Sequence, residues 1–211
     1  MKISLTFDNG PHAEITPRVL DTLTRFGVKA SFFIIGQNLE HPAARKVLEL
    51  THAEGHRIGN HSYSHSTPFG LLDDPQKGVE EVLATDQLLG PLVGDERLYR
   101  PFGGGEIGKH LLNRPTWDLF IRLRYTCVLW DFVTPERAMP GTWMKPTLDA
   151  CRQREWTVLV MHDTDWGGSA QLDVFLKMAI EAGAEFSQDF PDHCVPLRRG
   201  VVTGDAQRLM K

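Results

Sequence analysis

The chain has 211 residues, 41% of them hydrophobic and 24% charged, a balance that excludes disordered and fibrous classes. Its 23 basic and 27 acidic side chains form no basic stripe, and its apolar runs (residues 30–36 and 157–161) are too short to cross a bilayer, so neither nucleic acid nor membrane is expected as a partner. Cys127, Cys151 and Cys194 are few and far apart, and no signal peptide is visible before the first strand-like run, which together read as reduced thiols in a cytoplasmic protein.

Residues 2–7 read as a strand, and 16–26 as a helix with Val19, Leu20, Leu23 and Phe26 on one face. A buried strand follows at 28–35, a helix at 42–53 and a short strand at 57–59. Residues 75–89 form a helix with Val79, Val82, Leu83 and Leu89 inward. Further strands are predicted at 97–99, 125–129 and 157–161, with helices at 108–119, 142–154 and 170–182. This alternation implies right-handed crossovers and a parallel sheet, either closed into a barrel or doubly wound. No repeat, low-complexity tract or Pro/Ser-rich linker interrupts it, so residues 1–211 read as a single domain.

Polar residues cluster just after the strands, where parallel α/β proteins build their sites. Asp8-Asn9-Gly10-Pro11-His12 follows the first strand, and turn chemistry alone makes it an Asx turn with positive φ. His61 and His65 are spaced to share a metal on a helical turn, although His52 and His56 have the same separation. Arg100 to Gly105 is a tight loop whose glycines leave backbone N–H groups free for an oxyanion. Trp130-Asp131 closes an apolar strand, and His162-Asp163 ends another. Each cluster alone has an ordinary structural explanation.

Their order and spacing carry more. Thr6-Phe7-Asp8-Asn9-Gly10-Pro11, Gly55-His56-Arg57-Ile58-Gly59-Asn60-His61-Ser62-Tyr63-Ser64-His65, Arg100-Pro101-Phe102-Gly103 and Val160-Met161-His162-Asp163 follow one another in this chain. Together they resemble the motifs of the polysaccharide deacetylases, the NodB-homology group of carbohydrate esterase family 4. The resemblance spans residues 2–165. It implies an α/β fold, a distorted (β/α) barrel with about seven parallel strands rather than eight. It also implies a hydrolase that removes N-acetyl groups from a chitin- or peptidoglycan-like amino-sugar oligosaccharide or polysaccharide.

By the same resemblance Asp8 is the general base, His162 the general acid, and Arg100 the residue that orients Asp8. His61, His65 and Asn9 would hold a divalent metal, zinc being expected, and an amide at Phe102 or Gly103 would help bind the oxyanion. Three departures qualify this. Asn9 stands where the family has a ligating aspartate, so metal binding should be weakened or lost. Arg100 is one residue nearer to Phe102 than the family pattern has it. Val133 occupies the position of the acid that orients the catalytic histidine, which leaves Asp131 as the substitute and Glu136 as second choice. Tyr63, Phe102, Trp143 and Trp166 are candidates to stack on sugar rings, with Trp143 and Trp166 preferred because both look like loop residues.

Two other functions compete with the deacetylase. One is a metal-independent, allantoinase-like hydrolase of another C–N bond. The other is a catalytically degenerate barrel that binds glycans. The tail, 192–200, is read as structural and closing the barrel; as neighbours in a strand, His193 and Cys194 would face opposite ways.

Overall fold

The computed structural model describes residues 1–210. Its centre is β1 (Lys2–Asp8), buried on both faces and flanked by two parallel neighbours. α1 (Ile15–Phe26) follows, burying Val19, Leu20 and Leu23, and ends at Gly27, whose φ of 65° suits a residue without Cβ. Then come β2 (Ser31–Ile34), α2 (Pro42–Ala53), β3 (Arg57–Asn60), α3 (Gln76–Leu89) and β4 (Leu98–Tyr99). α4 (Arg114–Arg122) begins at Asn113, whose side chain accepts the Thr116 N–H. β5 (Thr126–Cys127), β6 (Phe132–Val133), α5 (Met144–Arg152), β7 (Trp156–His162), α6 (Leu172–Glu181), β8 (Glu185–Phe186), β9 (Leu197–Arg198) and β10 (Val201–Val202) complete the chain.

The strands form one curled sheet in the order β10-β9-β5-β4-β3-β2-β1-β7-β6, with β8 also pairing β1. β1 to β7 run parallel, as the distorted barrel requires, and β9 pairs antiparallel with both β5 and β10. β6 and β10 are the two ends of this path, so the barrel has a seam. The segment 190–195 fills it from within: Leu129 N–H donates to the Cys194 carbonyl at 2.7 Å, and Phe190, Cys194 and Val195 pack on Phe33, Leu98, Val128 and Val158. The tail therefore does close the barrel. It does so as a short 3-10 turn at Asp192–Cys194 rather than as a strand, so His193 and Cys194 are not forced to opposite faces.

Strand alternation sorts each side chain. Ile3, Leu5 and Phe7 of β1, Phe32 and Ile34 of β2, and Leu159 and Met161 of β7 face the helices in one large apolar cluster. Thr6 and Asp8, Phe33, Val158, Val160 and His162 lie at the intervening positions, facing the interior. β1 and β7 pair in a register that sets Asp8 opposite His162. The Cα atoms of such neighbours are about 4.8 Å apart.

Trp143 is corrected here as a substrate contact. It is fully buried at the start of α5, its ring 5.4 Å from that of Phe175, with Nε1 donating to Gln171. The ring completes the interface between α5 and α6 that covers the outer face of the sheet. Trp143→Ala should therefore cost about 3–5 kcal/mol of folding free energy in urea unfolding. A loss under about 1 kcal/mol would show that the ring is not the core residue described here.

Candidate active site

The strand ends open onto a cavity of about 450 Å³ whose lining includes Asp8, Asn9, His61, His65, Phe102, Gly103, Trp130, His162 and Trp166. Beneath it lies Arg100, fully buried. Its guanidinium donates to Thr6 Oγ1 at 2.8 Å and to the Val128 and Leu129 carbonyls at 3.3 and 3.4 Å. It sits over the Phe33 ring at 4.3 Å and pairs with Asp8 Oδ1 at 3.4 Å. The spacing of the arginine loop is therefore no obstacle: Arg100 reaches Asp8 from below while Pro101, Phe102 and Gly103 line the wall. Burial pushes the Asp8 carboxyl above its ordinary pKa, and Arg100, followed by His162 and His65, pulls it back.

Asn9 holds φ at 75°, the left-handed turn expected of Asn-Gly. Its backbone carbonyl accepts the Asn38 side-chain amide at 2.7 Å, while its buried Oδ1 has no hydrogen-bond partner among the described residues. Gly10 is required by space, because a Cβ there would collide with the carboxylate of Asp163. Asp163 is itself fully buried and accepts the Thr16 hydroxyl at 2.5 Å; burial pushes its pKa up to about 6.

His61 and His65 do share one wall of the cavity, with ring centroids 4.9 Å apart, but not through a helical turn. Ser62 and His65 both have positive φ, in an irregular turn tied by side chains. Asn60 Oδ1 accepts the Ser62 N–H, Ser62 Oγ accepts the His65 N–H, and Glu81 accepts the N–H groups of Tyr63 and Ser64. His61 Nδ1 is held by the Arg100 carbonyl at 2.8 Å, which turns Nε2 to within 3.7 Å of Asp8 Oδ2. Burial lowers the pKa of His61 to about 3 and that of His65 to about 4, so both imidazoles are neutral with a lone pair to offer. Phe102 stacks on His65 at 4.1 Å and meets the edge of His61 at 5.9 Å, bracing the pair. Gly103 leaves room for His110, which bonds its carbonyl at 2.9 Å.

Across the cavity, His162 Nδ1 bonds Glu136 Oε1 at 2.7 Å, and the other oxygen of Glu136 accepts the Gly168 N–H at 2.9 Å. Glu136 is buried, so the acid beside His162 is this residue and not Asp131. Asp131 instead serves the far end of β7, where Oδ2 accepts the Val158 N–H at 2.8 Å. The two-residue strand β6 explains the misassignment: Phe132 pairs with Leu159 and Val133 with Val160, so the chain must run on to 136 before a carboxylate can reach His162.

Trp166 lies 4.7 Å from the His162 ring, beneath the Arg137 guanidinium, and is part-exposed. It also borders a second depression that shares Asn9 and includes Gln37, Asn38, Glu40 and His41. Tyr63 lines neither depression: its hydroxyl is bonded to the Glu40 carboxylate. Sequence reasoning missed Arg137, which has no motif around it; Trp130, singled out only as the close of an apolar strand, lines the cavity while its Nε1 donates to the Gly105 carbonyl at 2.8 Å.

The donors fit a metal ion. Two neutral imidazoles and an amide oxygen without a hydrogen-bond partner among the described residues line one cavity with an ionisable carboxylate. The set differs from a common zinc triad in carrying no charge.

Residues 1–125 match the family model described as polysaccharide deacetylase. A peptidoglycan-N-acetylglucosamine deacetylase of Bacillus cereus is 36% identical over 117 residues, covering 55% of this chain and 40% of that protein. A second so named from the same organism is 31% identical over 195 residues, covering 86% and 67%. The solved family 4 acetyl xylan esterase of Clostridium thermocellum, in complex with a cobalt ion, superposes with a TM-score of 0.68 at 26% identity, covering 89% of this chain and 87% of that one. The chain spans about two fifths of the length of the first relative. With the motifs, the curled parallel sheet and the cavity at its strand ends in agreement, the chain belongs to the polysaccharide deacetylase family.

Proposed function

We propose that the chain hydrolyses the N-acetyl group of an amino-sugar unit in a chitin- or peptidoglycan-like glycan. The observation that carries this is the placement of Asp8 with Arg100 and of His162 with Glu136 at paired positions of β1 and β7, on one cavity with His61, His65 and Asn9. Amide hydrolysis needs a base for water, charge at the carbonyl oxygen, and a proton for the departing nitrogen.

Asp8, kept ionised by Arg100, takes the proton from the attacking water as its oxygen bonds to the acetyl carbon. His61, His65 and Asn9 would hold a divalent ion, which when bound would supply positive charge for the developing oxyanion. The Phe102 or Gly103 amide adds a hydrogen-bond donor for that oxygen. His162 keeps its Nδ1–H on Glu136, so Nε2 is the nitrogen that protonates the sugar amine as the C–N bond breaks. The products are acetate and a free amine. Trp166 and Trp130 offer apolar faces to the sugar ring.

Acetate release from an N-acetylated chito-oligosaccharide, followed with added zinc and with a chelator, tests the reading. Release that depends on zinc is the expected result. Release indifferent to chelator would move the assignment to the metal-independent C–N hydrolase, and none under any condition, even after Asn9→Asp, to a glycan-binding barrel. Asn9→Asp should tighten zinc binding by about tenfold or more in calorimetry, since one added ionic contact exceeds the roughly 1.4 kcal/mol involved.

Glu136→Gln removes the charge that stabilises the imidazolium of His162, so kcat should fall on the order of 100-fold with little change in KM. An unchanged kcat would remove Glu136 from the mechanism. Arg100→Met deletes the counter-charge that holds the Asp8 pKa down. Activity needs ionised Asp8, so the acid limb of the pH–rate profile should move up by about 1–3 pH units. An acid limb that stays in place would assign it to another group.

A further inference from the structure

At the other end of β7 from His162, side chains from two segments more than sixty residues apart converge on the seam. Asp131 Oδ1 accepts from His193 Nε2 at 2.8 Å, and Oδ2 accepts from the Cys194 thiol at 3.4 Å. One donor atom from each of the three side chains lies within 4.8 Å of the other two. The Val158 N–H fixes the carboxylate from behind, the usual second partner of a ligating group. Cys194 is buried, Asp131 nearly so, and the His193 side chain is 57% exposed, which opens one side of the cluster to solvent.

We propose that Asp131, His193 and Cys194 form a second metal site, for a borderline-soft divalent ion such as zinc, which fastens the 190–195 segment across the barrel seam. Carboxylate, imidazole and thiolate are zinc donors, with water completing a tetrahedron on the open side. A thiolate selects against magnesium and calcium. Two anionic ligands neutralise the dication, which suits a half-buried position. Binding releases the thiol proton to solvent, and His193 ligates as the tautomer that carries its proton on Nδ1 and presents the Nε2 lone pair.

Without the ion, burial and Asp131 push the thiol pKa well up, so the resting cluster is a protonated thiol and an imidazole both bonded to Asp131. The nearest competing cation is Arg154, whose Nε is 4.0 Å from Asp131 Oδ1, at the outer edge of the carboxylate. Val158 is four residues from His162 along an extended strand, about 13 Å, so the two metal sites are separate.

Cobalt(II) titration of the whole chain distinguishes them, because the active-site donors include no thiol. The expected result is a thiolate-to-cobalt charge-transfer band in the near ultraviolet that saturates at one equivalent and is displaced by zinc. The band should vanish in Cys194→Ser, weaken with about tenfold poorer affinity in His193→Gln, and persist when His61 and His65 are both replaced by alanine. Absence of the band in the unaltered chain at a large excess of cobalt would overturn the proposal, and so would its survival in Cys194→Ser. His193 is exposed and its replacement leaves the core untouched, so an unaltered band in His193→Gln would overturn the proposal even if the serine variant failed to fold.

Discussion

A guanidinium sealed inside a barrel is the constraint on which the rest of this structure depends. Arg100 has no contact with water, and leaving such a charge uncompensated would cost several kcal/mol. It is satisfied by the Thr6 hydroxyl on β1, by two carbonyls just past β5, by the face of Phe33 on β2, and by a single anion, Asp8. Three strands must therefore keep their registers for one side chain to be tolerated. In return the cation offsets part of the desolvation that raises the pKa of the buried carboxylate at the floor of the cavity.

The same cation bears on the proposed metal ligands above it. A dication close to a guanidinium is repelled unless negative charge lies between them, and Asp8 contacts both Arg100 and His61. With Asn9 in place of a carboxylate, the ligand wall itself adds none. His61 and His65 contribute as neutral bases because burial suppresses their protonation.

How much of this was legible in the sequence depends on how local each determinant is. The alternation along β1 and β7 is long enough to be read directly, and with the motifs at their ends it located Asp8 and His162. The helices around 16–26 and 75–89 were legible from their apolar faces, although Leu83, expected inward, is exposed because the buried stripe of α3 runs through Val79, Val82 and Leu89. Elements of two residues, such as β6 and β8 to β10, have no period to detect; their existence rests on pairing partners far along the chain. Glu136 was outranked by Asp131 for that reason, since choosing between them needs the register of β6. Gly141-Thr142-Trp143 has the composition of a loop, yet the indole is buried by Phe175 and Gln171, thirty residues later. Tyr63 sits in a motif that resembles the family's, but the direction of its side chain is set by Glu40 and the Glu81-tied turn.

Glu136 uses both its oxygens, one on His162 and one on the backbone of Gly168. Residues 163–168 carry Trp166, one wall of the cavity, and return the chain from the end of β7 to α6. The carboxylate that orients the His162 ring is thus also the clasp of the loop that shapes the cavity. Transplanting this loop from a relative to alter glycan preference would disturb proton donation in the same operation.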